Sequence, residues 1–461
     1  MIWSIIQQIG FFIFLFLTIY YVKKNNFANL LVLYFAGLAF AACCVYYITI
    51  WTPDKVACMG MAYCIIFKRK HYNTRMPKPL KNILWSLIFL LFISTVIGIA
   101  STPKYTYLIS PIQRLILSNF SYISNSIILI YGILLPIDLK GKFFPKYCRV
   151  MELAILTGLL HLMFLSVGFE FMPIHRAGLV NDTMGNDVIA EFGGSIITRI
   201  YAFAGEPKGL AFCILPYIII SICMFLRNSF IKSKKYHLVF LALGLFILFQ
   251  TYSSAAFINV IVLIPLILFL GGIKPSPTLL GIIFIGVVFA LIVGMTSDRG
   301  FSTFADSINQ RTFERGQTEL ANDRQETVIM NSFIEENGIV KIFGWGLGQY
   351  TFNVPGQVWG NSILIPVQSG IVLTLADFGF LGLILYLYVF FVILRLIRKS
   401  KAIGSPIILA FSMAALSKFF ESTMHGNVTT PLMYLMVAYY MYIYEKRNII
   451  NEKNGCNNIL V

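Results

Sequence analysis

Stretches of about 20 apolar residues recur along almost the whole chain, and every second connector between them is basic. A helix rises about 1.5 Å per residue, so each such stretch is long enough to cross a hydrocarbon core of roughly 30 Å. That repetition leaves few alternatives to a bundle of membrane-spanning helices. Composition agrees, since only 12% of residues are charged and a soluble domain carries about 25%. Mean hydropathy is +0.78.

The apolar segments fall at about 2–22, 27–50, 51–67, 82–101, 112–136, 150–170, 208–226, 237–252, 255–273, 278–296, 367–394, 404–420 and 429–445. The expected fold is an all-α polytopic integral membrane protein with about 12–14 transmembrane helices. Residues 1–461 would form one transmembrane domain. The first segment lacks a basic leader and a small-residue cleavage site, so it is expected to be retained as a helix.

The net charge of +16 could suggest a nucleic-acid partner. Sorting charges by side removes that reading. Connectors on one side hold 24 Lys/Arg against four carboxylates, and the other side holds 12 against 16. This is the positive-inside asymmetry. It places the C-terminus in the cytoplasm and, if segment 51–67 crosses, the N-terminus outside. The eight cysteines lie in or beside apolar runs or in cytoplasmic segments, without CxxC or Cys/His spacing. Neither a disulfide framework nor a zinc site is expected.

Two polar stretches break the apolar pattern, both on the non-cytoplasmic side: 171–207 and 297–366. The larger carries Arg299, Arg311, Arg315, Arg324 and Lys341 and ends in Gly344-Trp345-Gly346-Leu347-Gly348. The smaller carries Arg176, Arg199 and Glu206-Pro207. A guanidinium is always charged and forks onto phosphate or carboxylate. A site that handles a pyrophosphate without a metal would use such groups. The competing reading pairs each arginine with a loop carboxylate.

Glu206 sits where the smaller loop re-enters the membrane, so it is either half of a salt bridge, with Arg199 as partner, or a catalytic base. Within the larger loop, Asn322 to Gly338 reads as an amphipathic helix capped by Asn322 and stopped by a left-handed Gly338. It is expected on the membrane surface or against the bundle mouth. Arg324 falls in its first turn, where a cation opposes the helix dipole. Gly344 and Gly346 suit tight turns and close backbone approach, because no strand precedes them to make a nucleotide loop. Trp345 and Tyr350 could stack on sugar rings or belong to the aromatic belt at the interface. His425, between the last two segments, is either a base or an interfacial hydrogen-bonding group. Without paired carboxylates or further outer histidines beyond His175, no metal or other cofactor is expected.

Taken together, four motifs resemble the O-antigen polymerase (Wzy-type) family. They are Arg199 through Glu206-Pro-Lys-Gly209, Tyr252-Ser-Ser-Ala-Ala256, Arg324 upstream of Ile342-Phe-Gly-Trp-Gly-Leu-Gly-Gln-Tyr350, and Leu375-Ala-Asp-Phe-Gly-Phe-Leu-Gly382. The family's loops pair Arg and Gly across fifteen intervening residues. Here Arg176/Gly193 and Arg299/Gly316 have sixteen. Related O-antigen ligases carry a His-Asn pair where this chain has Gln368-Ser369, which favours a polymerase.

The resemblance implies a glycosyltransferase of lipopolysaccharide biosynthesis, in the bacterial inner membrane with its loops periplasmic. A growing glycan would leave undecaprenyl pyrophosphate and join a new lipid-linked repeat unit. Arg199, Glu206, Arg324 and His425 would be catalytic. Arg176, Arg299, Arg311, Arg315, Gly344, Trp345, Gly346 and Tyr350 would bind substrate. Partners would be the undecaprenyl-linked oligosaccharide, membrane lipids and a chain-length regulator. A ligase is the alternative. A non-enzymatic flippase is a further one, disfavoured by the long outer loops and the scarcity of charge within the segments.

Overall fold

The computed structural model describes residues 2–47, 49–68, 76–105, 110–134, 137–169, 189–192, 195–230, 232–272, 325–336, 338–354, 358–359, 363–364, 369–424 and 426–457. Every apolar segment within these residues contains a helix. In chain order the helices are α1 (Ile2–Lys23), α2 (Phe27–Ala39), α3 (Pro53–Phe67), α4 (Lys78–Ala100), α5 (Pro111–Leu134), α6 (Phe144–Ser166), α7 (Pro207–Leu226), α8 (Lys234–Gln250) and α9 (Ser254–Gly271). Then follow α10 (Gln325–Glu335), α11 (Gly338–Phe343), α12 (Tyr350–Asn353), α13 (Gly370–Ile403), α14 (Pro406–Met424) and α15 (Leu432–Asn457). Segment 278–296 lies outside the described residues.

Six of the described helices are both long and apolar enough to cross a membrane, and these are α1, α4, α5, α6 with the π-helical turn before it, α7 and α13. That is fewer than the expected 12–14. The segment 27–50 accounts for part of the difference. Its helix stops at Ala39 after 13 residues, roughly 20 Å at 1.5 Å per residue. The chain then forms a small antiparallel hairpin pairing Val45–Tyr47 with Thr49–Trp51. Both strands are β-branched or aromatic, types that favour a pleated surface over a helix. Two further hairpins pair Ile189–Phe192 with Ser195–Thr198, and Val358–Trp359 with Ile363–Leu364. The architecture is thus mainly helical, with these short hairpins as exceptions to the all-α expectation.

The centre of the bundle is α7. Of its apolar window 78% is buried, against 17% for the peripheral α1. A helix apolar on all sides, as Ile218-Ile-Ile-Ser-Ile222 makes this one, belongs inside a larger assembly. Near the core, Phe35 of α2, Tyr147 of α6, Phe411 of α14 and Tyr434 of α15 pack ring to ring at 5.2–6.3 Å. Tyr147 and Tyr434 share a hydrogen bond of 3.2 Å, so each buried hydroxyl has a polar partner. This cluster ties four helices of distant sequence into one core.

Candidate functional site

The break in α13 organises the end of the bundle that carries 344–354. At Gly379 the chain leaves helical geometry, with φ 62° and ψ −154°. Just before it, the Ala376 carbonyl accepts the Trp345 backbone N–H at 2.9 Å, and the Asp377 carbonyl accepts the Ser94 hydroxyl at 2.6 Å. The Asp377 side chain is 2% exposed. Its Oδ1 accepts the Gly348 N–H at 2.8 Å, and its Oδ2 accepts the Tyr122 hydroxyl at 3.0 Å. Hydrogen bonds to a carboxylate are stronger than neutral ones, so this residue clamps the glycine-rich turn to α13 and α5.

The glycines meet that clamp at backbone distance. A Cβ on Gly344 (φ 81°) would lie 2.6 Å from the Ala376 oxygen, and one on Gly346 (φ 100°) 2.7 Å from the backbone of Gly98 in α4. Close approach is therefore their geometric role. The turn follows α11, and its N–H groups at Trp345 and Gly348 are spent on α13. They are not free to cradle a phosphate.

Trp345 and Tyr350 are both 3% exposed. The Trp345 ring stands edge-on to Phe333 of α10 at 5.6 Å, and its Nε1–H donates to Glu336 at 3.2 Å. Glu336 also receives Lys104 at 2.9 Å. Burial pushes the Tyr350 hydroxyl above its ordinary pKa, while the Arg114 guanidinium beside it pulls the other way. These aromatic faces are taken up in packing, a role different from the sugar stacking expected of them.

Helix α10 begins at Gln325, directly after Arg324. It buries Ile329 and Phe333 in a small core with Trp345, Tyr350, Val354, Leu375 and Ala376. The helix thus lies against the bundle, on α13. Its end differs from expectation. Gly338 has no left-handed φ and opens α11, so the chain continues as a second short helix.

A second set of contacts surrounds Arg199, which is 5% exposed. Its Nε donates to the Thr251 carbonyl at 2.9 Å and its Nη2 to the Tyr252 carbonyl at 3.3 Å. Arg199 thereby holds the turn between α8 and α9, where Tyr252 is left-handed at φ 47°. Two of its donors are thus engaged in holding backbone in place. Nearby, His161 Nδ1 accepts the backbone N–H of Tyr201 at 3.3 Å and of Ala202 at 3.1 Å. Glu206 stands half-buried at the N-cap of α7, and its carbonyl accepts the Leu210 N–H at 3.0 Å. Arg176, Arg299, Arg311, Arg315, Arg324 and His425 lie outside the described residues.

No protein-family model matches this chain, and no curated protein matches it.

Three groups escaped the sequence reading. Arg114 sits in the first turn of α5, against the helix dipole, and its charge acts on Asp377. The signal was an arginine at the edge of an apolar run. Lys418 and Glu421 form a buried ion pair in α14, signalled by opposite charges three residues apart in an apolar helix. The third is the set of partners around Glu152, signalled by a carboxylate inside the apolar segment 150–170. Glu152 accepts the Tyr236 hydroxyl at 2.6 Å and lies 3.7 Å from Lys232.

Proposed function

We propose that this chain is a glycosyltransferase that polymerises lipid-linked saccharide repeat units, with its active face periplasmic. The observation that carries the reading is the anchoring of the segment that follows the arginines of the larger polar stretch. Residues 325–354, which continue directly from Arg324, are tied to α13 through Trp345, Gly348 and the buried Asp377. A loop merely connecting two spans needs no such clamp. One that must present cations at a fixed place does.

In the proposed reaction an acceptor sugar hydroxyl attacks the anomeric carbon of the growing chain. The bond from that carbon to the pyrophosphate oxygen breaks, and the lipid pyrophosphate leaves. Arginines of the two loops stabilise the charge on the departing group. A loop carboxylate or His425 takes the acceptor proton.

The test is the lipopolysaccharide ladder of a strain lacking the gene. Core capped by a single repeat unit is the expected result. Core alone, with periplasmic accumulation of lipid-linked polymer, would assign a ligase instead. Core alone without that accumulation would assign a flippase, and an unchanged ladder would refute all three. In the same assay, Arg324→Ala at normal expression is expected to abolish long chains while single-unit capping persists. Unaltered chain length would remove Arg324 from the mechanism.

A further inference from the structure

At the end of α13 away from Gly379, cations collect without acids to balance them. Arg395 and Lys399 lie one turn apart on α13, a spacing at which like charges oppose each other. Lys446 of α15 joins them, and both Arg395 and Lys446 act on the Lys399 ammonium. Among the described residues, none of the three forms an ion pair. The carboxylate next in sequence, Glu445, turns instead to Lys140 at 3.1 Å. Lys399 rests on the face of Tyr442, 5.3 Å from the ring centre, a weak contact at an exposed site.

The positive-inside asymmetry accounts for basic residues at this end of the bundle. Two further observations make the cluster a site. The first is Tyr439, three residues before Tyr442 on α15. It is 2% exposed, and its hydroxyl is buried without a hydrogen-bond partner. The Arg395 guanidinium acts on that hydroxyl, which puts a spare donor beside the cations. Buried polar groups are seldom left unpaired, and an anionic oxygen held among the cations supplies the missing acceptor. The second is what adjoins the cluster. Ile384, Leu387 and Phe391 share a face of α13 with Arg395, and all three are exposed. From Ile384 to Arg395 is about 16 Å at 1.5 Å per residue, roughly half of a 30 Å hydrocarbon core. An apolar stripe one leaflet deep thus ends in cations. A phospholipid matches both parts, with acyl chains along the stripe and phosphate at its charged end. A free phosphate matches only the second.

We propose that Arg395, Lys399, Lys446 and Tyr439 form a binding site for the headgroup of an anionic phospholipid, with its phosphate among the three cations. The site lies at the opposite end of α13 from the glycine-rich turn, so it stands or falls independently of the polymerase reading.

The experiment is native mass spectrometry of the full chain in detergent, titrated with cardiolipin, phosphatidylglycerol or phosphatidylethanolamine. Both anionic lipids are expected to bind about tenfold or more tighter than the zwitterionic one. Replacing Arg395, Lys399 and Lys446 together by glutamine is expected to weaken cardiolipin binding about a hundredfold, at about fivefold per cation. Lys23, Lys24 and Lys235, replaced together, remove the same charge from other basic connectors. That control is expected to change binding by less than about twofold, because distant exposed charges are screened. If the first triple variant does not accumulate, Lys399→Gln with Lys446→Gln makes the same test, at about twenty-five-fold. Tyr439→Phe is expected to weaken binding about tenfold, the low end for a hydrogen bond to a charged group. The lipid-free Tyr439→Phe protein should unfold no earlier than wild type, since its hydroxyl bonds nothing there. Equal binding of phosphatidylethanolamine would overturn the proposal. So would equal losses in the two triple variants, or a Tyr439→Phe protein that binds as wild type does. Displacement of the lipid by inorganic phosphate would overturn the lipid assignment and leave a site for free phosphate.

Discussion

Replacing Lys418 by methionine is expected to destabilise the folded protein by roughly 3–5 kcal/mol, the cost of leaving a buried charge without its partner. Lys418 and Glu421 are 6% and 5% exposed, and the ammonium lies 3.0 and 2.8 Å from the two carboxylate oxygens. The same ammonium donates to the Phe212 carbonyl of α7 at 2.6 Å. That carbonyl needs an outside donor because residue 216, four positions on, is a proline inside the helix and has no N–H to give. One lysine therefore serves two groups with no water to replace it. Methionine keeps the length and the apolar stem, so the loss is electrostatic. Lys208 also acts on Glu421, more weakly than Lys418 does, which places the cost toward the lower end. The double variant Lys418→Met with Glu421→Leu is expected to recover most of the loss, leaving only the orphaned Phe212 carbonyl. Thermal unfolding of purified protein in detergent measures this. A single variant within about 1 kcal/mol of wild type, or a double variant worse than the single, would show that the pair does not stabilise the α7–α14 contact.

This pair illustrates what the sequence could and could not reveal. Helix positions were legible because the apolar runs are long and their boundaries are marked by charge, as at Lys78, Lys234 and Glu206. Which runs cross a membrane was less so. The run 27–50 reads as one apolar block, and nothing in hydropathy marks the change from the 13-residue helix to the Val45–Trp51 hairpin. Side-chain partnerships across helices were the least legible. Lys418 finds a carbonyl 206 positions away, and Tyr122 reaches Asp377 across 255. The Gly344–Gly348 turn was legible as a place of close approach, since three glycines alternating with large residues offer little else. What approaches it, the broken α13, was not. A single Gly379 in a helical apolar run gives no sign that the helix is interrupted there. The roles of Trp345 and Tyr350 turned on burial, which pattern does not encode for an isolated aromatic in a loop. Arg199 has the composition of an anion site, yet two of its donors go to backbone carbonyls brought in by the turn after α8.

The break at Gly379 leads to the second large effect. Its φ of 62° with ψ −154° lies in a region essentially closed to residues with a side chain, costing of order 1–3 kcal/mol where it is forced. Space is denied as well. A Cβ there would sit 2.5 Å from the carbonyl carbon and oxygen of Ile342 and 2.6 Å from the Phe343 nitrogen. Backbone atoms cannot rotate aside as a side chain can, so α11 would have to move off α13. Moving it pulls on Trp345 and Gly348, the two points where the turn is clamped. Gly379→Ala is therefore expected to cost more than the strain alone, about 4 kcal/mol or above, with packing added to conformation. Gly404→Ala supplies the control. Gly404 is also left-handed, at φ 75°, but nothing lies within 4 Å of its Cβ position, so it should cost only about 1 kcal/mol. Unfolding midpoints of the two variants in one detergent separate the contributions. If they lose stability equally, conformation alone accounts for Gly379 and the close seat of α11 on α13 contributes nothing. If Gly379→Ala loses far more and polysaccharide chains shorten in step, the broken helix is what holds the arginine-bearing loop where the proposed chemistry needs it.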